Sequence, residues 1–197
     1  MATSSTSSVT QTSRPTARFW VAQRAQHHLV ARSYGQYDPC KVQTVYEAAG
    51  GHDGLLRLAE AWHARVMADE VVSHAFSHGL HPEHTARLAA YWAEALGGPT
   101  TFSAAYGDET SVVRLHSGNG VHEEMDRRAI ACFDEALNDV GLAGDDRLCQ
   151  VLRSYFTWAT TTTMSRYHRS ADDVPDGLAI PHWSWDGLVA GARSNEG

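Results

Sequence analysis

Apolar residues return every three or four positions through the middle of this chain, and no stretch of it alternates with the period of two that a half-buried strand needs. Across residues 53–68, Leu55, Leu56, Ala59, Trp62, His63, Val66 and Met67 fall on one broad helical stripe. A second helix is expected over 82–96: Pro82 suits a first helical position, and Gly97, Gly98 and Pro99 stop it. Along it His84, Leu88, Tyr91 and Ala95 are spaced by four, three and four, so they stack on one side. Two longer helices are expected over 121–140, with Met125, Ala129, Cys132, Phe133 and Leu137 inward, and over 145–164, with Leu148, Val151, Leu152, Tyr155, Phe156 and Ala159 inward; Gly141 separates them. The β-branched run 160–163 weakens the end of the last one, where its threonines can bond back to preceding carbonyls.

Shorter pieces connect these helices. Residues 71–76 end in Phe76, expected inward, before the polar turn Ser77, His78, Gly79. After Pro99 the chain reads as irregular to Gly107, then as a short turn through Val112, Val113 and Leu115, and His116 follows immediately before Ser117, Gly118, Asn119 and Gly120. The whole reads as an all-α domain over 43–166, with an N-terminal extension over 1–42 and a loop-rich C-terminal extension over 167–197. Trp183 and Trp185 in that last segment are too apolar for water and are expected to cap some patch of the body.

A chain of 197 residues holds one domain with a core of its own. No run approaches the ~20 apolar residues of a membrane span, and no short apolar block follows a basic start as in a secretory signal. Cys40, Cys132 and Cys149 are odd in number and far apart, which argues against a disulfide framework and for a reducing cytoplasm. Residues 1–41 carry five basic side chains against the single acid Asp38, while the remainder carries eleven basic against twenty-two acidic. Such a body repels phosphate backbones, so nucleic acid is not an expected partner. The first forty residues, Ser/Thr-rich and then bearing Phe19, Trp20, Leu29 and Val30, read first as a disordered or partly helical extension; a transit peptide or a basic amphipathic membrane-surface helix are the alternatives.

Three of the twelve histidines stand apart. His63 and His84 lie on apolar helical faces, and His116 follows the helix stop. Neutral imidazole can hold a metal or donate a hydrogen bond, so the set points to a buried metal or haem. His78, His81 and His84 are spaced by three but rotate away from a common face, and the first two fall in a turn, so they are not read as a zinc site.

Taken in order, Tyr46, Glu47, Ala48, Ala49, Gly50 and Gly51, then Ala68, Asp69, Glu70 and Val71 before Phe76, then Gly97, Gly98, Pro99 and Thr100, then His116 make residues 46–164 similar to a group II truncated haemoglobin. The resemblance implies a shortened globin fold, two helices laid over two, binding haem b with His116 as proximal iron ligand. It places His63, Phe76, His84, Leu88 and Ala129 around a bound diatomic gas, and Tyr91 and Phe102 are further candidates for the cofactor pocket. Arg114 is a candidate for a haem propionate, with a free surface arginine as the other reading. Group II proteins carry tyrosine where His63 stands and tryptophan where Ala129 stands, so a roomier pocket is expected here, with Tyr91 and Trp92 available to refill part of it. His63 and His84 then either donate to the gas or, one of them, bind the iron directly. Reversible binding of dioxygen or a related gas, for transport or sensing, is the leading expectation. A haem redox enzyme acting on nitric oxide, nitrite or peroxide is a second; it needs a separate reductase, since no Gly-x-Gly-x-x-Gly fingerprint is present. A helical interaction or sensor module without haem is the third.

Overall fold

The computed structural model describes residues 42–77 and 79–189; the expectations for 1–41, for Cys40 and for His78 lie outside the described residues. Thr44 opens the described fold with a reciprocal cap on α1 (Val45–Ala48). Its hydroxyl accepts from the Glu47 N–H at 3.1 Å, and its own N–H donates to the Glu47 carboxylate at 2.9 Å. Gly50, at φ +90°, turns the chain into α2 (Gly51–Ala68). The end of α1 then lies so close against α2 that a Cβ on Gly54 would stand 1.9 Å from the Ala49 carbonyl oxygen.

The Asp69 carboxylate ends α2 and begins the 3₁₀ turn Val72–Phe76 by accepting the N–H groups of Val71 and Val72, each at 2.9 Å. Helix α3 (His84–Ala95) starts two residues later than the sequence suggests, with Pro82 in the preceding turn. It stops where expected. Gly97 adopts φ +90°, and a Cβ on Gly98 would press into the Tyr46 ring at 2.8 Å. The stretch read as irregular contains α4 (Thr101–Ala105), tied to α3 by the Glu94 carboxylate, which accepts from the Ser103 N–H at 2.9 Å and its hydroxyl at 2.6 Å. The expected short turn before His116 is a full helix, α5 (Glu109–Leu115), because Asp108 caps it by accepting the Ser111 N–H at 2.8 Å.

Helices α6 (Glu123–Asp139) and α7 (Asp146–Trp158) complete the body, and α7 continues as one π-helical stretch, Ala159–Met164. In that stretch Thr161 donates its hydroxyl to the Thr157 carbonyl at 2.9 Å, the back-bonding expected of the threonine run. Helix α2 packs on α3 and α6, and α6 on α7, giving two helices over two. Phe133 and Phe156 stack at 4.1 Å in the core, and the Trp92 ring meets both edge-on. Met67 departs from the inward stripe: it shares the stripe's margin with half-buried Leu56, eleven residues before it and so on the same side, and is 45% exposed.

The chain after Met164 folds back onto the body. Val174, Ile180 and Trp183 are buried, and Trp183 meets Tyr155 at 5.9 Å and Trp158 at 5.4 Å. Strands β1 (Trp183–Ser184) and β2 (Gly187–Leu188) form a small antiparallel hairpin whose Trp185 lies under the Arg147 guanidinium at 4.7 Å and donates its indole N–H to the Gln43 carbonyl at 2.6 Å. The patch these tryptophans cap is therefore α7 and the entry to α1. Cys132 and Cys149 are free thiols, and no helix among the described residues is long and apolar enough to cross a membrane.

Candidate functional site

His63 from α2, Phe76 from the 3₁₀ turn and His84 from the first turn of α3 converge. Their ring centroids are 5.7 Å apart for His63 and Phe76, 5.3 Å for His63 and His84, and 5.6 Å for Phe76 and His84. Nε2 of His63 and Nδ1 of His84 are buried with no hydrogen-bond partner among the described residues. Burial lowers the pKa of His63. It pushes His84 down to about 4, helped by the nearby rings of His63, His116 and His81. Both imidazoles are thus neutral at pH 7, each with a buried ring nitrogen left unpaired.

His116 is thus among the charges that hold down the His84 pKa. His116 stands at the end of α5, and its Nδ1 lies 2.8 Å from the Val112 carbonyl oxygen one turn back. A carbonyl only accepts, so Nδ1 carries the proton and Nε2 keeps its lone pair. Solvent reaches the ring, yet the surrounding protein disfavours its charge: burial lowers its pKa most, the Val112 carbonyl opposes that, and His122 lowers while Asp126 raises it. His122 and Asp126 line an open cleft of about 580 Å³ between the start of α6 and the end of the π-helical stretch, where Asp126 accepts from Ser165 at 2.8 Å and pairs with His122 at 2.9 Å.

Ala129 is buried beside Val66 and Val72, with Trp62, Phe76, Met125 and Cys132 around them. Trp62 was not among the site residues expected from the sequence. Its indole N–H donates to the Ala129 carbonyl at 3.1 Å, and its ring meets Trp92 at 6.1 Å and Phe156 at 5.6 Å. Its place on the apolar stripe next to His63 was the available signal. Leu88 is half-buried one turn beyond His84 on α3.

Tyr91 and Phe102 belong to another cluster. They meet edge-on at 5.2 Å, and the Tyr91 hydroxyl donates at 2.8 Å to Glu109, a carboxyl buried at the start of α5. Desolvation pushes Glu109 up to about 7. The Tyr91 hydroxyl is therefore committed, and the indole fastened to the Ala129 carbonyl is that of Trp62. Arg114 is occupied as well: it donates to the Val174 carbonyl at 3.2 Å and to Asp176 at 2.8 Å. His81 accepts the Glu83 N–H on Nδ1 at 3.1 Å, and no group of three His, Cys, Asp or Glu among the described residues is placed to hold a metal ion.

No curated protein matches the chain by sequence. Among solved structures it is similar to the haemoglobin of the thermophilic phototrophic bacterium Chloroflexus aurantiacus at 26% identity, with 64% of this chain covering 100% of that one at a TM-score of 0.55. It is similar to the thermostable haemoglobin of the actinobacterium Thermobifida fusca at 26% identity, over 63% of this chain and 98% of that one at 0.53. The group II truncated haemoglobin of Bacillus anthracis shares the fold at 18% identity, over 65% and 95% of the two chains at 0.57. Helices in this order, the truncated-haemoglobin neighbours, and a match of the bacterial-like globin family to residues 44–159 lead to one conclusion: the chain belongs to that family and carries the truncated-haemoglobin fold.

Proposed function

We propose that this globin holds haem b through Nε2 of His116 and takes dioxygen or a related diatomic gas on the face lined by His63, Phe76, His84, Leu88 and Ala129. The observation that carries the reading is the His116 tautomer. With Nδ1–H donated to the Val112 carbonyl and the pKa of the ring lowered by the surrounding protein, Nε2 is a fixed lone pair at a helix end. Haem, when bound, supplies an iron that takes one such nitrogen and leaves its other face to a gas.

The residues opposite His116 fit that group. Phe76 and Leu88 offer apolar surface, and the unpaired nitrogens of His63 and His84 are the orphaned buried polar atoms a polar ligand would satisfy. Each, as a neutral imidazole, can present an N–H to a gas at roughly 0.5–1.5 kcal/mol per hydrogen bond, or a lone pair to iron. The three cysteines lie too far apart for the Cys-x-x-Cys-His attachment of a c-type haem, which favours the b type. The reading includes a cytoplasmic setting and, if the site turns over, an electron-donating reductase as partner.

Titrating the purified chain with haemin tests this. A sharp Soret band that is lost in His116→Gly supports it; no band, or one indifferent to that substitution, overturns it. The ferrous spectrum of the loaded protein then assigns the distal histidines: five-coordinate iron leaves both to the gas, six-coordinate iron makes one of them a ligand.

A further inference from the structure

The segment after the last helix grips α5 on both sides of His116. Thr110, 3% exposed in the first turn of α5 by its side of the fold, bridges the segment with one hydroxyl: it donates to the Pro175 carbonyl at 3.3 Å and accepts the Leu178 N–H at 3.0 Å. One turn on, where residues four apart share a helical face, Arg114 donates to the Val174 carbonyl and to Asp176. Behind His116 the Gly118 N–H donates to the Tyr167 carbonyl at 3.0 Å, and the Gly120 N–H to the His168 carbonyl at 2.9 Å. Gly118 sits at φ +75° with the Ala171 nitrogen only 3.4 Å from where a Cβ would be, so the loop after His116 is pressed against the same segment.

The segment is itself anchored in the core by Val174, Ile180 and Trp183, and it lies beyond the residues matched by the family. A helix of seven residues has little stability of its own; what it packs against sets its position. Here Val113 faces the interior while Thr110 and Arg114 are claimed by the segment.

We propose that residues 167–178 are a proximal clasp, and that Thr110, Arg114 and Asp176 are positioning residues that set the orientation of α5 and so of the His116 ring. This rests on the reading of His116 as the iron ligand. With the clasp closed, His116 stays aimed and the cofactor is retained. With Thr110 or the Arg114–Asp176 pair removed, α5 relaxes, the imidazole changes its approach to the iron, and haem leaves faster.

The test uses the full chain loaded with haemin. Thr110→Val removes the bridging hydroxyl at constant shape, Thr110→Ser keeps it, and Arg114→Ala with Asp176→Ala removes a pair that is 45% and 90% exposed and so spares the fold. Resonance Raman of the ferrous protein reads the iron–histidine stretch, and transfer of haemin to an excess of a high-affinity acceptor protein reads its loss. The expected result is a shifted stretch and loss about fivefold faster in T110V, a smaller change of the same sign in the double variant, and wild-type behaviour in T110S. A stretch and loss rate unchanged in both T110V and the double variant overturn the clasp while leaving haem binding intact. A lower melting temperature with an unmoved stretch also overturns it, since that is what a purely structural contact would give. A wild-type chain that takes up no haemin overturns the haem reading, and the clasp's role with it.

Discussion

Replacing Glu109 with glutamine removes a charge from a buried site while keeping the shape. Glu109 is 3% exposed, receives the Tyr91 hydroxyl on one oxygen, and leaves the other oxygen buried without a partner; the Tyr155 hydroxyl is likewise buried and unpaired. The groups that act on it are Tyr91 and the Asp108 carboxylate, and among the described residues no cation pairs with it. Burial therefore dominates and pushes the carboxyl from 4.5 up to about 7. Below pH 4.5 the carboxyl holds its proton in both the folded and unfolded chains. As the pH rises the unfolded chain releases that proton first, so the folded state loses relative stability until the folded carboxyl also ionises near pH 7. At about 1.4 kcal/mol per unit, a rise of this size costs the wild type about 3 kcal/mol at pH 8. Glu109→Gln keeps an oxygen for the Tyr91 hydroxyl and cannot ionise. Urea unfolding at pH 4, 5, 6, 7 and 8 should show the variant gaining on the wild type from a few tenths of a kcal/mol at pH 4 to about 3 kcal/mol at pH 8. A difference that stays flat within about 0.5 kcal/mol over that range would refute the claim that burial governs this carboxyl.

Three further substitutions test the packing and the half-buried histidine His84. Gly54→Ala places a Cβ 1.9 Å from the Ala49 carbonyl, a backbone atom that cannot swing aside, so α1 must separate from α2; urea melts should show a loss of about 3 kcal/mol or more. Trp62→Phe keeps the ring contacts with Trp92 and Phe156 but deletes the donor to the Ala129 carbonyl, and should destabilise by about 1 kcal/mol in the same assay. His84, held near 4 against an ordinary 6.5, is neutral in the fold while the unfolded chain takes a proton, so its burial contributes stability above pH 6.5 that is lost as the pH falls toward 4. His84→Leu should relieve roughly 2 kcal/mol of that acid sensitivity in the haem-free chain, measured as the difference between urea midpoints at pH 7 and pH 4.5.

Much of this architecture was legible in the residues because helix stripes and glycine stops are local. The apolar columns on α2, α3, α6 and α7 face the core, apart from marginal Met67, and Gly97 and Gly98 end α3 as read. Elements whose stability comes from one distant or capping contact were not legible. Helix α4 exists where the chain read as irregular because Glu94, seven residues before it, caps it through Ser103. Helix α5 is a full helix rather than a turn because Asp108 caps it and the chain more than fifty residues on grips it. Arg114 was read as a cofactor or surface residue, and its partners at 174 and 176 come from a segment that looked like loop.

Around Ala129 the fold brings in a large side chain from another helix. Read position by position, alanine at 129 leaves a hole where a tryptophan would be. In the fold the Trp62 indole, delivered by α2 one residue before His63, packs against the Ala129 cluster and is fastened to the Ala129 backbone. An indole N–H bonded to a backbone carbonyl is spent, and the Tyr91 hydroxyl is spent on Glu109. In the proposed site the polar groups left to meet a ligand are then two imidazoles, His63 with its pKa lowered by burial and His84 by burial and the nearby His63 ring. Each has one proton and one lone pair to divide between two nitrogens, so a hydrogen bond made at one nitrogen fixes what the other can offer. On the proposed reading, recognition on that face is set by which tautomers the pair adopts, a property of two rings 5.3 Å apart on different helices.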